Sequence, residues 1–273
     1  MTVLVPVRQP PITKPPPRDY ISYSAISTYQ SCPLRYYFRY VVGLPETMVS
    51  ASLVFGSCIH RAAEHWFREL LAGGEPPTLE VLLGEYEAAW QNYDPAAIRF
   101  GKGETRKDLA NLAQRVLAAF QTSQVARPEG VILGIEEELR GQVVPGCPDL
   151  LGRIDLVVET ERELIVTDLK SARRRWSRGQ VEESAGQLLL YHELVRRWAP
   201  RKTMRLRFAV LTKTKQPAID VHEVASDRRQ IDRTKRIVER VWRAISAGHF
   251  FPAPSVTNCA TCPFLKPCRT WGS

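Results

Sequence analysis

The chain has 273 residues, of which 44% are apolar, with a formal charge of +9 and an isoelectric point near 9.4. That length fits one large domain or two small ones, and the apolar share is enough for a packed core. No run of about 18 apolar residues occurs, which excludes a membrane-spanning helix, and the positive balance points to a polyanionic partner, nucleic acid first.

The opening segment, MTVLVPVRQPPITKPPPRD, has no apolar signal-peptide core. The expected setting is therefore the reducing cytoplasm, where disulfides are rare. Residues 1–18 are Pro-rich and read as an extended, disordered tail. From residue 20 to 44, apolar residues recur at helical spacing after a capping serine, Ser24. Further helices are expected over 53–71, which carries His60, and over 79–92 and 108–123. The loop Gly101-Lys-Gly103 lacks the G-x-x-x-x-G-K-[S/T] spacing of a phosphate-binding loop.

After Pro128 the pattern changes to strands at 131–144, 151–158 and 164–169. A Leu-rich helix at 179–198, a strand at 204–212, a short strand at 218–224 and a basic helix at 227–247 complete the chain. The division is a helical part at 19–127, a sheet core at 128–225 and a C-terminal segment at 226–273. Successive strands form hairpins, whereas the strand after a helix can pair in parallel, so an α/β fold with a mixed sheet flanked by helices is expected.

Two strand-like runs end in charge. Asp155 closes GRID, and Asp168 and Lys170 close LIVTDLK. Alternation along a strand puts Asp168 and Lys170 on one face, and a neighbouring strand brings Asp155 to it. Carboxylates so close repel unless a cation lies between them, and oxygen donors suit Mg2+ or Mn2+. Such a cation polarises a phosphodiester and acidifies bound water, with Lys170 placed to stabilise growing charge. A neutral His60 can add a nitrogen ligand. Gln187 and Tyr191 share one helix face four residues apart.

Gly56 with His60, Gly152-x-Ile-Asp155, Asp168-x-Lys170 with Ser171, and Gln187-x-x-x-Tyr191 together resemble the PD-(D/E)XK nuclease superfamily. The likeness is to its RecB-like branch, with the AddB nuclease domain and the CRISPR-associated RecB-like exonucleases. It implies a restriction-endonuclease-like αβββαβ core, with His60, Asp155, Asp168 and the Leu169 carbonyl on Mg2+ or Mn2+. It also implies Lys170 as the catalytic lysine, with Gln187 and Tyr191 as an accessory motif. The activity it implies is a metal-dependent DNA exonuclease, on single strands, in repair, recombination or end processing. A silent DNA-binding module, or a subunit active only in a larger complex, is the alternative. A helicase or CRISPR-adaptation partner would supply the unwinding for which the chain has no ATPase motif.

Cys259, Cys262 and Cys268 form C-x2-C-x5-C near the end, and Cys32 stands alone near the start. Four thiolates hold zinc or an iron–sulfur cluster, and spacing does not choose between them. The resemblance implies a 4Fe-4S cluster. Cys58 and Cys147 are read as packed residues without a ligand role. Arg173, Arg174, Arg175 and Arg178, with Trp176 among them, are expected to contact DNA, the arginines on phosphates and the ring on a base.

Overall fold

A computed structural model describes residues 19–271; the expected Pro-rich tail lies outside them. The first elements are β1 (Tyr20–Ser22), α1 (Tyr23–Ser31), α2 (Pro33–Tyr36) and a π-turn over Tyr37–Val41. Here the expected single helix over 20–44 is corrected. Ser22, not Ser24, caps α1, its hydroxyl accepting from Ala25 N at 3.3 Å. The helix then breaks at Cys32 because Pro33 cannot donate to the preceding turn and disfavours helical backbone before it.

The helical half continues through β2 (Val49–Ser50), α3 (Ala51–Leu71), α4 (Leu79–Gln91), β3 (Ile98–Arg99) and α5 (Arg106–Gln121). A capping box of Thr105 and Asp108 starts α5 two residues before its expected beginning. The sheet strands β4 (Val131–Gly141), β5 (Asp149–Glu159) and β6 (Glu163–Ala172) follow. Next come α6 (Arg178–Ser184), α7 (Gly186–Val195), β7 (Thr203–Thr212) and β8 (Ile219–Val224). The chain closes with α8 (Arg228–Ser246), α9 (Val256–Ala260) and α10 (Leu265–Arg269).

The main sheet is mixed. β4, β5 and β6 are successive antiparallel neighbours, β7 runs parallel to β6 after the α6–α7 crossover, and β8 returns antiparallel at the edge. This is the expected αβββαβ core with helices on both faces, and the restriction-endonuclease-like fold class holds. The strand β1 is an addition, parallel to β5 through Tyr20↔Asp149 to Ser22↔Leu151.

Apolar residues pack on both faces of the sheet. One core joins α1, α7 and α8 with Ile154, Val166 and Phe208. The other joins α3, α4 and α5 with Leu156, Ile165 and Leu169. The site depends on how β5 is shared. The β5–β6 ladder ends at Leu156↔Thr167, and β1 takes the strand up only at Leu151. Between them, residues 152–155 face a gap in the sheet.

Candidate active site

The gap is the floor of a cleft of about 760 Å3. Two glycines let helices reach it. A Cβ on Gly152 would lie 2.7 Å from the Tyr191 ring, so the first residue of GRID clears space for α7. A Cβ on Gly56 would lie 2.8 Å from Ser171 Oγ, so the glycine of α3 lets that helix settle on the end of β6. Through these close approaches α3 delivers His60 from one face and α7 delivers Gln187 and Tyr191 from the other.

Asp155 is buried. Its Oδ2 accepts from Leu169 N at 2.6 Å, taking the bond the β5–β6 ladder would have made one step further on. Its Oδ1 faces His60 Nδ1 at 3.6 Å. Glu136 faces the same imidazole nitrogen at 3.8 Å. Among the described residues, His60, Glu136 and Asp155 bring donor atoms within 4.8 Å of one another. Burial lowers the basicity of His60, but the Asp155 carboxylate beside it outweighs that and raises its pKa to about 10. A metal ion that used this nitrogen would have to displace the proton that Asp155 favours there.

Glu136 went unrecognised in the sequence. It lies in β4 at φ 52°, among the described residues the one non-glycine with positive φ. That backbone follows a register shift between Ile132 and Gly134, and Glu136 is also held by Arg153. A left-handed residue within a strand is the kind of strain that gathers at functional sites.

Asp168 is 1% exposed. Burial raises its pKa, opposed chiefly by Lys170. Lys170 Nζ lies 2.7 Å from Asp168 Oδ2, an ion-pair distance. The same ammonium donates to Gln187 Oε1 at 2.9 Å, and Gln187 Nε2 donates to Tyr191 Oη at 2.9 Å. Burial disfavours the Lys170 ammonium, but Asp168 reverses that and keeps it protonated. Burial likewise holds Tyr191 in its neutral phenol form. The two motif residues of α7 thus form a chain that fixes the lysine.

The structure brings His60, Asp155, Asp168, Lys170, Gln187 and Tyr191 to one cleft. The basic loop is distributed differently. Trp176 packs on Phe208, ring centroids 5.1 Å apart, and stacks on His222 at 6.4 Å. Arg175 faces Asp220 at 3.5 Å and Arg178 faces Glu182 at 2.8 Å. Arg173 and Arg174 are exposed.

The four cysteines meet at the far end of the α1 core. Burial, then Cys32, Cys262 and Cys259, raise the pKa of the Cys268 thiol. Phe38 packs on Phe264 and Trp271 at 5.8 and 5.7 Å, joining the π-turn to the cysteine segment. Cys58 lies on the buried face of α3, its thiol pushed up to about 12 by burial.

The family model for the PD-(D/E)XK nuclease superfamily matches residues 20–269. The chain belongs to that superfamily. A structure from Eubacterium rectale, described as a presumed exonuclease, is 16% identical with a TM-score of 0.48, over 86% of this chain and 92% of that one. The structure of SSO0001 is 15% identical with a TM-score of 0.37, over 89% and 92%. No curated protein matches. Among the described residues, no helix is long and apolar enough to cross a membrane.

Proposed function

We propose that this PD-(D/E)XK nuclease is a divalent-metal-dependent DNA exonuclease that hydrolyses phosphodiester bonds in single strands. The observation that carries the reading is the meeting of His60, Glu136 and Asp155 beside the buried Asp168 and its partner Lys170. One nitrogen and several carboxylate oxygens fit Mg2+ or Mn2+, and the buried Asp168 Oδ2 is a further oxygen donor at hand. The set proposed from the motifs, His60, Asp155, Asp168 and the Leu169 carbonyl, is thereby extended by Glu136. When bound, the ion supplies Lewis-acid activation of the phosphodiester and of water.

The chain's own groups do the positioning. Lys170, charged and tethered by Gln187, presents an ammonium where negative charge grows on the phosphate. Tyr191 holds Gln187, and Gly152 makes room for Tyr191. Substrate enters past Tyr23, Tyr40 and Arg61, which line the cleft. End processing during repair or recombination, with unwinding by a helicase partner or within CRISPR adaptation, suits a nuclease without an ATPase motif.

We also assign Cys32, Cys259, Cys262 and Cys268 to a 4Fe-4S cluster. A tetrahedral zinc site with bonds of about 2.3 Å sets sulfurs roughly 3.8 Å apart. The Cys268 thiol feels Cys32, Cys262 and Cys259 beside it, and four neighbouring thiolates are a donor set that an iron–sulfur cluster takes as readily.

Digestion of end-labelled single-stranded DNA with Mg2+ or Mn2+ tests the function. Cleavage is expected in wild type and absent in Asp155→Ala and Lys170→Ala, with the ladders from each end giving polarity. Metal-loaded wild type that cleaves no DNA defeats the reading.

A further inference from the structure

A strongly basic helix lies outside the catalytic cleft. Helix α8, RRQIDRTKRIVERVWRAIS, holds seven cations against two carboxylates, more than half of the chain's net +9. Its buried residues, Ile231, Val238, Val241 and Ile245, lie along one side. Arg229, Arg233, Arg236, Arg240 and Arg243 follow at steps of four, three, four and three, so they form a single file on the opposite side. All are exposed. At 1.5 Å per residue the file runs roughly 21 Å from Arg229 to Arg243.

An exposed charged face usually serves solubility and is laced with ion pairs along the helix. Two pairs of that kind occur here, Arg228 with Asp232 at 3.9 Å and Arg243 with Glu239 at 2.6 Å. Among the described residues, Arg229, Arg233, Arg236 and Arg240 have no carboxylate at ion-pair distance. Every cation in the file is arginine, whose planar fork binds phosphate in two-bond fashion where lysine offers a point charge.

The file is connected to the catalytic cleft. A second groove, about 720 Å3, lies between α1, α6, α7 and α8 and is lined by both Tyr23 and Arg233. Tyr23 also lines the catalytic cleft. Its ring rests on Gly186 at the start of α7, where a Cβ would come within 3.1 Å of it. The surface therefore passes from Lys170 and Gln187, around Tyr23, along the groove to Arg233 and onto the file. The groove floor is not basic. Glu182 is held by Arg178 and Glu223 by Arg205, while Glu183 stands near Tyr23. Phosphates would thus follow the α8 lip and not the floor.

We propose that the solvent face of α8 is a phosphate track for the single DNA strand whose end occupies the catalytic cleft. A single file of guanidinium groups suits one phosphodiester backbone. The track rests on the nuclease reading of the cleft, and it extends the substrate-binding surface well beyond the scissile bond.

The test is the variant R229Q/R233Q/R236Q/R240Q, which keeps good helix formers at exposed positions and whose melting temperature should match wild type. Binding of a long labelled single strand and of a duplex is titrated with salt in EDTA, so that no cleavage is needed. The single-strand slope of log K against log salt should become shallower by about 3, or about 0.7 for each phosphate that the variant no longer neutralises. In Mg2+, turnover of an oligonucleotide short enough to fill only the cleft should be unchanged, while KM for the long strand rises. An unchanged single-strand slope, a loss confined to duplex, or equal loss of short-substrate turnover overturns the track. If wild type cleaves neither substrate, the nuclease reading fails by itself and the salt titration still decides the track.

Discussion

Glu136 alters what the cleft can hold. A left-handed residue in a strand costs roughly 1–3 kcal/mol, and here it aims a carboxylate at His60 and Asp155. If that carboxylate is a ligand, Glu136→Gln should leave the metal-free melting temperature near wild type and weaken Mn2+ binding at least about tenfold. Mn2+ raises the wild-type melting temperature by binding the native state alone, a gain of about 2.7 kcal/mol at a hundred times Kd. Equal Mn2+ stabilisation of variant and wild type would remove Glu136 from the site. Gly152→Ala makes a second case. Its methyl would meet the Tyr191 ring at 2.7 Å, an overpacking cost of about 1–3 kcal/mol, and would dislodge the chain from Tyr191 through Gln187 to Lys170. Cleavage should fall by more than the stability loss explains, measured as kcat on protein shown to be folded. Asp155, Asp168 and Lys170 stand out in the sequence as polar residues within apolar runs, whereas His60 joins them through the resemblance to the PD-(D/E)XK superfamily. Glu136 was not legible, because it opens a run of three glutamates that reads as a solvated strand edge. Its positive φ also breaks the alternation from which its direction would be inferred.

At the scale of elements, the helix readings were right in place and wrong in continuity. The run at 179–198 is two helices that meet at Ala185, where Tyr23 presses on Gly186. Periodicity continues across such a kink, and only the tertiary packing reveals it. The break at Cys32 was legible in Pro33 but hidden by the aromatics that carry the pattern onward. The α7–α8 pair is fastened at Glu193, which meets His192 Nδ1 at 3.0 Å and Lys235. The hydrogen bond with His192, then Lys235, outweigh burial and lower the Glu193 pKa to about 2. A carboxyl depressed in the folded state binds fewer protons there than in the unfolded chain, so its contribution is complete above about 4.5 and is lost as pH falls toward 2. Urea unfolding of Glu193→Gln should show a deficit of about 1 kcal/mol at pH 7, the screened worth of a partly exposed pair, that narrows below pH 4.5. A deficit independent of pH between 7 and 3 would show that charge is not what fastens the pair.

Across the whole molecule, a cluster on Cys32, Cys259, Cys262 and Cys268 would tie together segments more than two hundred residues apart. Closing a loop that long removes about 5 kcal/mol of chain entropy from the unfolded state. The rings of Tyr37 and Phe38 pack on Trp271, at 5.2 and 5.7 Å, along the same seam, so apolar packing holds it even without a metal. The two contributions separate by mutation. Cys262→Ala should lose iron and the visible absorbance of thiolate-bound iron and melt lower. Cys58→Ala and Cys147→Ala should keep both the iron and the colour, because those thiols are buried and held neutral. Trp271→Ala should destabilise the seam while leaving the iron content intact. Iron lost from Cys58→Ala but retained in Cys262→Ala would reassign the ligands. Unchanged iron and melting temperature in Cys262→Ala would mean that the seam is held by its aromatic packing alone.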